Sequence, residues 1–387
     1  MERRRGSPDF LLLFMTLALV GFGILMVFSS SYILAYYNPD YNNDSLYFVK
    51  KQAIWAILGF IAMLFTMNIP YTVYKQKFPT IAIGSFILLL LLFTPLGMKI
   101  NGARSWLGIG KSFSIQPAEF AKLGLIIYLA GLIAKKGDRF RMWKQGLAPA
   151  LIATTAFCGM VMLQPDLGTT SIILFTAVVI MFSGGAHLKH LGMLCGVASV
   201  ALIIFAVAAP YRLARIKTFI NPWNDGMNGL EQGYHLIQSF YAIANGGLSG
   251  AGFGKSIQKY LYLPYPQTDF IFSVIAEEIG FFGCALFILF FVLFLWRIIL
   301  ITLRCEDTFG LLVGIGVVSM IGIQAIINIG GVTGSMPITG VPLPFVSYGG
   351  SSLLVFMTSM GIVLSISRET FKKRAQRQEQ QLRKLSH

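Results

Sequence analysis

Apolar runs long enough to cross a bilayer recur along this chain of 387 residues, and they constrain its fold more than any other feature. A membrane helix needs roughly 18–20 consecutive apolar residues. Charged residues make up only 12% of the chain, against about 25% in soluble proteins. The sequence therefore predicts an all-α polytopic membrane protein with about ten transmembrane helices. The candidate spans are residues 10–33, 50–69, 79–97, 118–134, 146–163, 167–183, 188–209, 269–298, 309–331 and 345–366.

The basic residues predict how these helices are oriented. Arg3–Arg5 precede the first span, and most of the other Lys and Arg residues fall in alternate loops and in the tail 367–387. Because cytoplasmic loops carry the excess of basic residues, residues 1–9 and 367–387 are expected to be cytoplasmic. The net charge of +15 then reflects orientation and attraction to anionic lipid. No soluble basic domain is present to bind nucleic acid.

The membrane domain is expected to span residues 10–366 and to be interrupted by one long extracellular loop, 210–268, between helices 7 and 8. A loop of nearly sixty residues is too long for a passive connection. Residues 233–248 have apolar positions at helical spacing, which predicts an amphipathic helix. It either lies on the membrane surface or packs on the bundle.

Several basic residues on the predicted outer side contradict the orientation rule, so their charge must serve another purpose. They suggest an anionic ligand at the outer leaflet, because a guanidinium binds phosphate oxygens in a bidentate geometry. Contact with lipid headgroups is the alternative. These residues are Arg104, Arg212, Arg215, Lys217, Lys255 and Lys259.

Carboxylates occur at or inside three of the spans, where an ionised group is expensive and usually functional. Asp269 begins one span, and Glu277 and Glu278 lie within it. Eight helical residues rise about 12 Å, which exceeds the roughly 5–9.5 Å between paired glycosidase carboxylates. Asp269 is therefore predicted to act without Glu277 as a close partner, unless the helix is broken, while Glu277 and Glu278 support the helix.

Two further polar positions lie at the predicted membrane boundary. Glu119 and Lys122 are three residues apart, a spacing that favours an ion pair on one helix face. Asp166 precedes the span 167–183, where an acidic residue either caps the helix or serves the site.

Seven stretches together resemble the SEDS family (shape, elongation, division and sporulation), which includes FtsW, RodA and SpoVE. They cover nearly the whole chain, and their order is far more specific than hydropathy. The sequences of the first stretch and of the outer loop favour the FtsW and SpoVE branch, which serves division or sporulation, over RodA. The stretches are MVFSSS (26–31), GARSWL (102–107), IQPAEFAKL (115–123), QPDLGT (164–169), NPW (221–223), the segment 233–280 and LPFVSYGGSS (343–352).

The resemblance implies a GT-C-related SEDS fold and a peptidoglycan glycosyltransferase of the bacterial plasma membrane. Lipid II, an undecaprenyl-linked substrate, would be polymerised at the outer leaflet with inversion and release of undecaprenyl pyrophosphate. The essential acid of the family corresponds to Asp269 in TDFIF, and Glu119, Lys122 and Asp166 lie in motifs sensitive to substitution. A carboxylate at the membrane boundary suits a general base.

The remaining expectations concern binding and partners. Arg104, Arg212, Arg215, Lys217, Lys255 and Ser347 form the predicted pyrophosphate and sugar site. A divalent cation, Mg²⁺ or Mn²⁺, could assist pyrophosphate departure, although no donor cage is recognisable. A class B penicillin-binding protein transpeptidase and other divisome or elongasome proteins are the implied partners. The alternatives are a RodA-type elongation polymerase, and a lipid II flippase, which would need polar residues through the full bilayer depth.

Overall fold

In the computed structural model, apolar helices account for most of the chain. The structure describes residues 6–100, 103–109, 113–187, 189, 190, 192, 196, 218–224 and 233–385. Within these ranges the helices are α1 (Phe10–Tyr37), α2 (Tyr47–Asn68), α3 (Tyr71–Gln76), α4 (Phe78–Leu91), α5 (Pro117–Lys136), α6 (Ala148–Met162), α7 (Leu167–Ser183), α8 (Tyr234–Gly246), α9 (Ile271–Leu303), α10 (Thr308–Val332) and α11 (Gly350–Leu385).

Most of the predicted spans agree with these helices where the structure describes them, and the spans 79–97 and 269–298 differ as described below. Seven helices in the described ranges are long and apolar enough to cross a membrane, namely α1, α2, α5, α6, α9, α10 and α11, and α4 and α7 are shorter apolar helices. The predicted span 188–209 lies almost entirely outside the described residues. The helix predicted at 233–248 is α8. It packs on the bundle, because the Ser239 hydroxyl donates to the Val332 carbonyl on α10 at 2.7 Å and lies 2.7 Å from the Ser273 hydroxyl on α9.

A small antiparallel sheet follows α4 and was not predicted. Its strands are β1 (Gly97–Ile100), β2 (Ala103–Ile109) and β3 (Phe113–Ile115), in the order β1-β2-β3. The helix predicted over 79–97 ends at Leu91, a few residues before Pro95. Proline disfavours helical geometry in the residue before it, so the chain turns there and pairs as strands.

The helix α9 is interrupted at Gly280, which has φ +66° and ψ −170°. The segment 247–252 forms hydrogen bonds with four backbone groups beside the interruption. The amides of Phe281 and Phe282 donate to the carbonyls of residues 247 and 248 at 2.9 and 3.2 Å, and the carbonyls of Glu277 and Glu278 accept from residues 251 and 252 at 2.9 and 3.0 Å. The predicted continuous span from residue 269 is therefore two half-helices, 271–279 and 281–303.

Both ends of the membrane domain lie at the same end of the bundle. The Arg297 guanidinium near the end of α9 binds the Asp9 carboxylate through two nitrogens, at 3.1 and 2.6 Å. Arg368, far along α11, donates to the Gly6 carbonyl at 3.0 Å. The chain therefore enters and leaves the bundle on one side, as the basic termini predict. The helix α11 continues to Leu385, so the predicted tail 367–387 is largely an extension of this helix.

Candidate active site

Asp269 lies half-buried, two residues before the first half of α9. Three consecutive backbone carbonyls hold this short segment, 267–269, in place. The carbonyl of residue 267 accepts from the Tyr348 amide at 2.8 Å, and that of residue 268 accepts from the Ser347 hydroxyl at 2.6 Å. The carbonyl of Asp269 itself accepts from the Asn328 side-chain amide at 2.8 Å. The backbone below the carboxylate is thus fixed by the segment 343–349 and by α10.

The segment 339–343 borders the Asp269 carboxylate. A Cβ atom placed on Gly340, which has φ +76°, would lie 3.7 Å from Oδ2 of Asp269. The same segment contacts the start of α7, because a Cβ atom on Gly168 would lie 3.1 Å from the Thr339 backbone oxygen. The predicted site residues at 166 and 269 therefore belong to one region, joined by this segment.

The predicted pair of Glu119 and Lys122 is a buried ion pair. Lys122 Nζ lies 2.9 Å from Oε2 of Glu119, and the two side chains are 1% and 2% exposed. The ammonium also donates to Oε1 of Gln324 at 2.6 Å, and Gln324 donates to the Pro342 carbonyl at 2.9 Å. A second partner of this kind reduces the cost of burying the charges, and it links the pair to the segment beside Asp269.

Asp166 is the N-cap of α7. Its Oδ1 accepts from the Thr169 amide at 2.9 Å and its Oδ2 accepts from the Thr169 hydroxyl at 2.7 Å. Burial raises the pKa of the Asp166 carboxyl, while the hydrogen bonds from Thr169 and the charge of Lys122 oppose that shift. Asp166 therefore caps its helix, and the positive charge of Lys122 stabilises its ionised form.

Glu277 joins the first half of α9 to the loop that precedes it. Its carboxylate accepts from the Asn245 side chain at 3.3 Å and from the Ser256 hydroxyl, and it also accepts from the amides of residues 257 and 258 at 3.0 and 3.3 Å. All four donors lie in residues 245–258. The side chain is completely buried. These contacts join the first half of α9 to residues 245–258, and the supporting role of Glu277 stays a prediction.

Glu278 forms a buried ion pair with Lys259. Lys259 Nζ lies 2.8 Å from Oε1 of Glu278, and neither side chain is exposed. The Ser29 hydroxyl, from the MVFSSS stretch, donates to the same carboxylate oxygen at 2.6 Å. The interpretation of Lys259 as an outer basic residue available to an anionic ligand is therefore wrong, because its charge is enclosed and paired.

The other predicted binding residues lie in different settings. Arg104, on β2, and Lys255 are exposed and accessible to a ligand, whereas Arg212, Arg215 and Lys217 lie outside the described residues. Ser347 is 4% exposed, and its hydroxyl donates to residue 268 and accepts from the Leu343 amide at 2.8 Å. Its position supports the backbone next to Asp269. Among the residues that the structure describes, no group of three or more His, Cys, Asp or Glu could hold a metal ion.

Three further candidate residues near the site are Gln324, Asn328 and Ser29. Gln324 and Asn328 are buried amides four residues apart in an otherwise apolar helix. That spacing on one helix face is the signal that could have found them. Ser29 lies in the MVFSSS stretch, but that stretch does not indicate its partner, because a hydroxyl in a membrane helix usually bonds to its own backbone.

The apolar helices define a multi-pass membrane protein, and comparison with known proteins agrees with that class. Residues 10–372 match the family model described as "Cell cycle protein", which covers FtsW, RodA and SpoVE. The chain therefore belongs to this family.

Relatives and solved structures match along nearly the whole length. The chain is 44% identical over 370 residues to Stage V sporulation protein E of Bacillus subtilis (strain 168), with 95% of this chain and 99% of that protein covered. It is 42% identical over 379 residues to the Probable peptidoglycan glycosyltransferase FtsW of the same strain, with 95% and 92% covered.

Two solved structures confirm the predicted SEDS fold. A chain from the structure described as "Structural coordination of polymerization and crosslinking by a peptidoglycan synthase complex" matches with a TM-score of 0.75 at 28% identity, with 94% of this chain and 98% of that chain covered. RodA of Thermus thermophilus matches with a TM-score of 0.69 at 29% identity, with 94% and 97% covered.

Proposed function

We propose that this protein is a peptidoglycan glycosyltransferase that polymerises lipid II into glycan strands in cell division or sporulation. The similarity to the FtsW and SpoVE proteins over nearly the whole chain supports this assignment. The observation that carries the chemistry is the Asp269 carboxylate, which is half-buried at the end of an apolar bundle on a backbone fixed by three hydrogen bonds.

Asp269 serves as the general base. Its carboxylate takes the proton from the attacking sugar hydroxyl of the acceptor, and the hydroxyl oxygen forms a bond to the anomeric carbon of the donor. The bond from that carbon to the lipid pyrophosphate breaks, and undecaprenyl pyrophosphate leaves with the electron pair. One displacement inverts the anomeric centre, so one base is sufficient.

Positive charge is needed where the pyrophosphate leaves. Arg104 and Lys255 are exposed and can supply it, and Arg212, Arg215 and Lys217 remain our proposal for the same role. Ser347, Glu119, Lys122, Asp166, Glu277 and Glu278 act by holding the structure around Asp269. A divalent cation, Mg²⁺ or Mn²⁺, would have to be held mainly by the substrate pyrophosphate, since the described residues offer no cage.

The proposed assembly is a complex with a class B penicillin-binding protein, together with other divisome or elongasome membrane proteins. The similarity to a chain of a peptidoglycan synthase complex supports such a partner. The proposed orientation in the bacterial plasma membrane places both termini in the cytoplasm. The end of the bundle that carries Asp269 then faces the outer leaflet, where lipid II would enter.

The test uses the purified protein with a class B penicillin-binding protein and labelled lipid II, and the glycan strands are resolved on a gel. Asp269→Ala and the isosteric Asp269→Asn are expected to abolish polymer, because neither side chain can accept the proton. Asp44→Ala is the matched control, since Asp44 is paired with Lys50 in the exposed loop between α1 and α2. Synthesis of glycan strands at the wild-type rate by Asp269→Ala would contradict the assignment of Asp269 as the general base.

A further inference from the structure

The helix α10 carries two buried amides, Gln324 and Asn328, on one face. They are 0% and 4% exposed, and they lie one helical turn apart in a span of otherwise apolar and small residues. A polar side chain in such a helix is costly unless its hydrogen-bonding groups are used. What these two amides bind therefore indicates their role.

Asn328 uses both hydrogens of its amide to join two separate segments. Nδ2 lies 2.8 Å from the carbonyl oxygen of Asp269 and 2.7 Å from that of Val341. The reversed amide would direct Oδ1 at two carbonyl oxygens, which are acceptors only, so the contacts fix its orientation. Oδ1 is itself buried and without a hydrogen-bond partner. The side chain thus leaves one acceptor unsatisfied while its two donors hold the carbonyls.

Gln324 repeats this arrangement at the next residue of the same segment. Its Nε2 donates to the Pro342 carbonyl at 2.9 Å, and its Oε1 accepts from Lys122 Nζ at 2.6 Å. The carbonyls of residues 341 and 342 are therefore held by two amides on one rigid helix. Gly340, the residue before them, faces the Asp269 carboxylate, with its Cβ position 3.7 Å from Oδ2.

We propose that Asn328 is a positioning residue for glycosyl transfer. Its side chain sets the separation between the Asp269 carboxylate and the segment 340–342, and Gln324 holds the same segment at residue 342. The inference rests on the proposed function of Asp269. Neither amide touches the reacting atoms. The effect is on geometry, and a displacement of about 1 Å of a catalytic group costs on the order of 100-fold in rate.

The decisive variants are Asn328→Asp and Asn328→Leu. Both keep nearly the same size, but Asn328→Asp replaces the donors with acceptors and Asn328→Leu removes them. Each is expected to lower the polymerisation rate at saturating lipid II about 100-fold, while the half-saturating concentration changes little. Asn328→Asp also adds a negative charge near Asp269, so the acid limb of its pH–rate profile is expected to move to higher pH. Asn328→Leu leaves the charge unchanged, and its acid limb stays closer to that of the wild type.

Two controls, one within α10 and one just after its last residue, separate positioning from stability. Ile321 is fully buried among apolar side chains, so Ile321→Ala is expected to lower the thermal unfolding midpoint while the folded protein keeps its turnover rate. Thr333→Ala removes an exposed hydroxyl that binds carbonyls of α10 and is expected to match the wild type. Amide hydrogen exchange over residues 265–275 is measured for every variant, and it is expected to increase in the Asn328 variants only.

The outcomes distinguish this inference from the proposed function. If the wild type makes no glycan, the proposed function fails, and the exchange data still decide whether Asn328 holds the Asp269 segment. If the wild type makes glycan and both Asn328 variants do so at its rate, the positioning role is overturned. Loss of activity in proportion to loss of folded protein, with the exchange pattern of Ile321→Ala, would overturn it equally.

Discussion

The two halves of α9 are both rich in apolar residues, but they lie in different surroundings. From Ile271 to Glu278 every residue is buried, including both carboxylates. Beyond Gly280 the buried positions recur at intervals of three and four residues, and most of the others are exposed. Those buried positions are Cys284, Phe287, Phe291, Phe294, Ile298 and Ile301, with Thr302 buried next to the last of them.

The difference shows that one apolar run can contain two segments with different surroundings. The second half packs through one stripe, as a helix at the edge of a bundle does, and its exposed face suits lipid. The first half is enclosed by protein on all sides, so each carboxylate can be given donors or a cation there. Hydropathy does not distinguish a helix enclosed by protein from a helix that faces lipid, because both environments exclude water. The two carboxylates do distinguish them, since only the surroundings of the enclosed half provide hydrogen-bond donors and a cation for these groups.

The largest effect is expected from Gly280→Val, which would remove the break between the halves. A Cβ atom at this position would lie 2.2 Å from the Gly250 amide nitrogen, and φ is +66°. Such a conformation costs a side chain about 1–3 kcal/mol, and the four backbone hydrogen bonds to 247–252 would be lost at about 0.5–1.5 kcal/mol each. We expect almost no folded protein on size-exclusion chromatography in detergent.

The control for this change is Gly21→Ala in α1, where an added Cβ meets nothing within 4 Å. It should purify as the wild type does. Folded and active Gly280→Val protein would mean that the two halves do not need the break.

The next effect concerns the charges that the enclosed half buries. Lys259→Met leaves the Glu278 carboxylate buried without its cation, which typically costs about 3–5 kcal/mol. We expect a lower thermal unfolding midpoint, and we expect Lys259→Met with Glu278→Leu to recover most of it, because a buried apolar pair replaces an ion pair at little cost.

Lys50→Met is the matched control, since Lys50 forms an exposed ion pair with Asp44, worth about 0–1 kcal/mol. A double variant no more stable than Lys259→Met would show that Lys259 stabilises the protein through something other than Glu278.

Much of the fold could be predicted from the sequence, because a helix that crosses the bilayer needs a long apolar run. The length of such a run distinguishes a membrane helix from a loop. Most spans in the described residues follow from the length of apolar runs, and the helix at 233–248 and the pairing of Glu119 with Lys122 follow from periodicity and spacing. The break at Gly280 does not, because its cause is a backbone segment some thirty residues away that binds four backbone groups beside the break. The sheet at 97–115 was missed because its strands are short.

The site could be predicted only in part, for a similar reason. Asp269 is conspicuous as a carboxylate at the start of an apolar run, and its setting became recognisable through the family resemblance. Lys259 was misjudged because a lysine in a loop is normally solvated, and only the folded chain shows Glu278 and Ser29 around it. Asn328 reaches Asp269 across a sequence separation of 59 residues, which no local pattern reports.

A moderate effect is expected from Glu277→Gln, which tests how the enclosed half holds the outer loop. The glutamine keeps the size but loses the charge that accepts four hydrogen bonds from residues 245–258. Hydrogen bonds to a charged group contribute about 1.5–3 kcal/mol, so we expect a loss of about 2 kcal/mol. Limited proteolysis should cut residues 247–262 faster, while cleavage elsewhere stays unchanged. Unchanged proteolysis of the loop would argue that the backbone hydrogen bonds to 277–282 are sufficient to hold it.

The smallest effect is expected on the exposed face of the second half. Leu286 is 69% exposed, so Leu286→Ala removes only contacts with lipid or detergent and should change the free energy of unfolding by less than about 0.5 kcal/mol. Phe291, on the buried stripe of the same half-helix, is the matched comparison, and Phe291→Ala should cost about 3–5 kcal/mol. Thermal unfolding in one detergent measures both. Equal losses would mean that Leu286 is covered by protein in the folded molecule, and the contrast between an enclosed half and a half with a lipid-facing surface would no longer hold.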